Sequence, residues 1–162
     1  MSAHFLYARF PTLQHRTALD WMRTASEVLA LHAERVHLHT IDAAHAGPVV
    51  GWRLMSDNHR ELARSCGLYP SERGAHDAAG ELLTRAADII VHSAPEPRMR
   101  TTGWFATVDD ELVMLHARRY ENRSVARNAG QLAARLVSAM AVAAREGATG
   151  GDLERSAPEF AL

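Results

Sequence analysis

Gly51-Trp52-Arg53-Leu54-Met55-Ser56-Asp57-Asn58 is answered 52 residues later by Gly103-Trp104-Phe105-Ala106-Thr107-Val108-Asp109-Asp110. Both runs open on Gly-Trp and close on a turn-forming pair. Each then passes through a short segment, Ala63-Arg64-Ser65 or His116-Ala117-Arg118, to an aromatic residue, Tyr69 or Tyr120, and a helix-like stretch. An internal repeat outranks any single motif, because it sets the unit that folds.

Upstream of the first run, Val36-His37-Leu38-His39-Thr40-Ile41 alternates and is β-branched at both ends, which predicts a strand. Residues 42–48 form a small-residue loop, Val49–Met55 a second strand, and Leu62–Ser65 a short third one. Ser71 is placed to cap a helix, with Ala75, Ala79, Leu82, Ala86 and Ile90 on its buried face. Asp77, Glu81, Thr84 and Asp88 make the opposite face.

The second copy follows the same order. Ile89–His92 predicts a strand and Ser93-Ala94-Pro95-Glu96-Pro97 a loop. Trp104–Val108 and Leu112–Ala117 predict a hairpin turning at Asp109-Asp110. Asn122 caps a last helix with Val125, Ala129, Leu132, Leu136 and Met140 inward.

Ahead of both, His4–Phe10 reads as a strand and Thr12 as the cap of a helix carrying Ala18, Met22, Ala25 and Leu29 on one face. Trp21, Val28 and Leu31 widen that apolar surface, so this helix is expected to pack on two sides, one of them against a second subunit. Phe10-Pro11-Thr12 echoes Tyr69-Pro70-Ser71, and residues 1–34 therefore read as a half-repeat. Residues 35–90 and 89–145 are the two repeats, and 146–162 a disordered tail.

The residues from Val36 to Ile90 resemble the repeat of the small YegP-type bacterial proteins, a family of unknown function. Trp52-Arg53-Leu54, Asn58, Ala63-Arg64-Ser65 and Tyr69 stand where that repeat has its Trp-Arg strand, turn Asn, third strand and aromatic. The second copy keeps Trp104 and Tyr120 but has Phe105 after the tryptophan. His59 and Glu111 stand where the turn Gly is usual. The resemblance implies an α+β fold in which tandem βββα repeats form an antiparallel sheet with their helices on one face. It implies no catalytic residues.

Composition narrows the function classes. The 162 residues carry a net charge of −1, which gives no general attraction to nucleic acid or anionic lipid. No apolar run is long enough to span a bilayer, and Met1-Ser2-Ala3-His4 does not open a signal peptide. The expectation is a cytoplasmic protein with no membrane association. Cys66 is the lone cysteine, which excludes an internal disulfide and a cysteine-based zinc site. All 18 basic residues are arginine, so lysine Schiff-base, lysine general-base and P-loop chemistry are excluded.

Four constellations carry chemistry. His37 and His39 would share a strand face and suit a metal, with His32, Asp42 or His45 as third ligand; the plainer reading is a solvated face. Trp52 and Trp104 are read as core anchors, with Tyr69 and Tyr120, rather than stacking platforms. Arg118, Arg119, Arg123 and Arg127 could hold phosphates or an acidic partner, against the plainer reading of a soluble helix face. The tail, with Leu153, Pro158, Phe160 and Leu162, has the make-up of a docking peptide or of a frayed end.

The function these readings favour is a non-enzymatic, cofactor-free protein that works as a homo-oligomer or by binding a protein partner. A nucleic-acid-associated factor using the arginines is the alternative, and a metal-dependent enzyme at the histidines a weaker one.

Overall fold

A computed structural model describes residues 1–32, 41–96 and 98–155, with side chains to residue 148. Its six strands form one antiparallel sheet in the order β1-β2-β3-β6-β5-β4. The elements are β1 (Ala3–Phe10), α1 (Arg16–His32), β2 (Val49–Ser56), β3 (Glu61–Arg64) and α2 (Glu72–Thr84). A short 3₁₀ turn (Ala86–Asp88) leads on to β4 (Ile90–Glu96), β5 (Thr101–Val108), β6 (Glu111–His116) and α3 (Arg123–Arg155). Among the described residues no helix is long and apolar enough to cross a membrane.

Local chemistry sets many of these boundaries. The Ser71 side chain accepts from the Gly74 N–H at 3.0 Å, and the Asn122 side chain from the Val125 N–H at 3.0 Å. Each satisfies a donor that the first helical turn leaves without an intrahelical partner. The β5–β6 turn places Asp109 and Asp110 at φ 49° and 63°. Two successive left-handed residues match the twist of the flanking strands, and aspartate tolerates that region better than most residues.

The two sides of the sheet repeat one set of bonds. Val50 bridges Tyr69, and Thr102 bridges Tyr120. The β2–β3 register shifts between Leu54 and Met55, and the β5–β6 register between Ala106 and Thr107. Trp52 donates its N–H to Ser65 Oγ at 3.2 Å, and Trp104 N lies 3.2 Å from His116 Nδ1. β1 lies along all of β2, from Ala3 opposite Ser56 to Phe10 opposite Val49, as β4 lies along β5.

β1 thus holds the place beside β2 that the sequence suggested for Val36–Ile41. Residues 36–40 of that strand lie outside the described residues, and Ile41 belongs to no strand. Ser93–Glu96, expected as loop, are strand. Pro95 is accommodated because β4 is an edge, where a missing N–H breaks no ladder bond on its outer side.

α2 and α3 share one face of the sheet, as expected, and α1 takes the other. α2 and α3 cover the side bearing Trp52, Leu54, Trp104 and Met114, through Ala79, Leu82, Ala133 and Val137. α1 packs on the other side: Trp21 joins Phe10, Val49 and Leu68, while Ala25 and Val28 join Phe105 and Leu115. Both faces of this sheet carry apolar side chains, so both have to be covered. Trp21 is fixed there by donating its indole N–H to the Ser65 carbonyl at 2.9 Å, with the Arg53 and Arg64 guanidiniums over its ring.

α3 buries Ala126, Ala133, Leu136, Val137 and Ala141, packs Ala129 and Met140 against the same core, only partly covers Leu132 and leaves Val125 45% exposed. The inward stripe keeps Leu136 of the expected face but turns toward Ala126, Gly130 and Ala133, whose small size lets the helix settle close over Trp104. The helix is continuous to Arg155, past the Arg145 boundary drawn from the sequence.

Candidate functional site

The sheet opens at its centre. β3 holds β6 only through Ala63 opposite His116 and Arg64 opposite Leu115. Past Ser65 the chain turns to bond Tyr69 with Val50, and the two strands part. A cleft of about 300 Å³ fills the gap, between the Cys66–Tyr69 segment, α2 and the start of β6. Trp52, Leu82 and Val108 give it an apolar lining, and Asp77, Glu81, Arg85 and Glu111 line it with charge.

The charges are unequal in number. Arg85 lies 3.2 Å from Asp109, 3.6 Å from Glu111 and 3.9 Å from Glu81, so three carboxylates share one guanidinium. Two neutral acids stand in the lining, and burial is the main influence on both. Burial, then the Glu111 carboxylate, pushes the Cys66 thiol well up. Burial, then Cys66, Glu111 and Glu81, raises the Tyr69 phenol. A thiol held protonated is neither nucleophile nor metal ligand, so Cys66 is a packing residue.

Beneath the opposite face, His116 is buried against the backbone of Trp104. Its Nδ1 is 3.2 Å from the Trp104 N and 3.0 Å from the Trp104 O. One tautomer accepts from the amide and the other donates to the carbonyl. Burial drives its pKa down to about 4, so the ring is neutral at neutral pH. His92 is also lowered, by burial and then by His32; it stacks on Phe105 with centroids 4.8 Å apart and bonds Thr107 Oγ1 at 2.9 Å.

The residues singled out from sequence fall in several places. Trp52 and Trp104 are 1% and 0% exposed, in one core cluster, with Tyr69 and Tyr120 half-buried against it. Burying each indole removes about 200 Å² from water, on the order of 5 kcal/mol, far more than an exposed stacking platform would retain. Arg118, Arg123 and Arg127 are exposed, the last two one turn apart on α3. Arg119 is drawn away from them, its Nε donating to Thr101 Oγ1 at 2.8 Å.

His37 and His39 lie outside the described residues. Of the third ligands considered, His32 packs on Phe105, His45 Nε2 meets the Pro48 carbonyl at 3.1 Å, and Asp42 accepts from the Ala44 N–H at 2.9 Å. Among the described residues no group of three metal-binding side chains converges.

The cleft itself was not visible in the sequence. Asp77 and Glu81 read there as a solvated helix face, which they are, and the parting of β3 from β6 places that face at the rim of the cleft. Comparison with protein-family models, with curated proteins and with solved structures finds no match.

Proposed function

We propose that the protein is a non-enzymatic, cytoplasmic protein that works as a homo-oligomer or by binding a protein partner, built from two YegP-like βββα repeats; the oligomer is the form the surface favours. The repeat reading is supported by the paired bridges Val50–Tyr69 and Thr102–Tyr120 and by the register shifts after Leu54 and Ala106. In this reading β1 is the first strand of the first repeat, and α1 is carried between that strand and the second.

The oligomer rests on one observation. Leu31 at the end of α1 and Met99 in the β4–β5 connection, 52% and 61% exposed, line the same shallow depression of about 480 Å³. Two large apolar side chains from distant parts of the chain, next to β4, the outermost strand among the described residues, form a surface that gains by being covered. Light scattering on the full chain tests it: a mass above the 17.8 kDa of one chain is expected, falling to one chain in the Leu31→Glu, Met99→Glu double variant.

A nucleic-acid role is the second reading, supported by the exposure of Arg118, Arg123 and Arg127. It requires binding that weakens steeply with salt.

A further inference from the structure

We propose that the cleft between α2 and β6 binds a small organic cation, an ammonium or guanidinium group on a short apolar stem. The cavity carries the proposal, and its lining selects the class. At about 300 Å³ it stands at the lower end of small-molecule pockets, too small for a folded partner and too large for a bare ion. Its inner surface offers the partly exposed side chains of Tyr69, Ala78 and Val113, over a floor closed by Trp52, Leu82 and Val108, and an apolar stem can cover them. A hydrated metal ion would leave that surface wet and gain nothing from it.

The rim sets the sign. Asp77, Glu81 and Glu111 line the cleft against the single cation of Arg85, and Arg85 also answers Asp109 from outside the cleft. An anionic ligand would meet the Glu81 and Glu111 carboxylates, which add to the effect of burial in raising the phenol of Tyr69, as Glu111 does for the thiol of Cys66. A cation relieves it. Gly74 and Ala78 give the α2 wall a low profile, so the cleft is open to entry rather than sealed.

The test titrates the full-length protein with phenethylamine, phenethyl alcohol and hydrocinnamate, followed by amide NMR shifts. These probes share a stem and differ in charge. The expected result is saturable binding of the amine at residues of α2 and β6, tighter than the alcohol by about threefold or more, with no binding of the acid. Ala78→Leu, which fills the cleft, should abolish the amine shifts while leaving the melting temperature within a few degrees. Asp77→Asn, at an exposed position, should bring the amine down to the alcohol's affinity. Equal binding of all three probes, no binding of the amine, or amine shifts untouched by both substitutions would overturn the proposal.

Discussion

The imidazole of His116 occupies the space that a side chain at Gly103 would need: a Cβ built there falls inside the ring's van der Waals envelope. Gly51, at the matching place in β2, is covered in the same way by Trp21, whose Cζ2 would lie 2.7 Å from such a Cβ. In each case a bare strand position lets a large side chain from another element lie flat on the sheet. Gly103→Ala should therefore cost about 1–3 kcal/mol in urea unfolding, through overpacking. The loss should shrink in a His116→Ala background, where the ring is gone. An equal cost in both backgrounds would mean that the strand conformation, not the ring, requires glycine.

The same ring makes stability depend on pH. His116 titrates at about 4 when folded, against an ordinary value of 6.5. Between those values the unfolded chain binds a proton that the folded chain refuses, so stability falls as pH drops through this window and levels off below it. By about pH 5 the loss from this one group is on the order of 2 kcal/mol relative to neutral pH. His116→Gln keeps an acceptor for the Trp104 amide and cannot titrate. Urea unfolding at neutral pH and at about pH 5 should show a smaller drop in the variant than in the parent. Identical drops would place the titration elsewhere.

Asp110 holds φ 63° in the β5–β6 turn, a conformation that costs most side chains about 1 kcal/mol. Glycine adopts it freely. Asp110→Gly should stabilise the chain by roughly 0.5–1 kcal/mol, and thermal melts would register the gain as a few degrees. Asp109 is not the residue to change, because its carboxylate pairs with Arg85.

What the sequence revealed follows from how local each cause is. The caps at Ser71 and Asn122 and the turn at Asp109-Asp110 are decided by a few neighbouring residues, and all three are read correctly from the chain. The inward faces of α2 are legible too, since Ala75, Ala79 and Leu82 repeat at helical spacing. The partner of β2 is not, because β1 reaches it across the whole of α1. Nor is the side on which α1 packs, which depends on Trp21 finding Gly51 and the Ser65 carbonyl. On α3 the face is right at Leu136, but bulk misleads at its start: Val125 outranks Ala126 in hydrophobicity, yet Ala126 is the one buried. The cleft is the least legible feature. It exists because β3 and β6 separate after two paired positions, and no residue pattern marks that point.

The association state tests the central claim most directly. Light scattering on the full chain over a micromolar concentration series should give a mass above 17.8 kDa that falls toward one chain on dilution. Replacing Leu31 and Met99 together by glutamate should leave the melting temperature in place and the mass at one chain throughout. A parent protein that stays at the mass of one chain at every concentration would contradict the account.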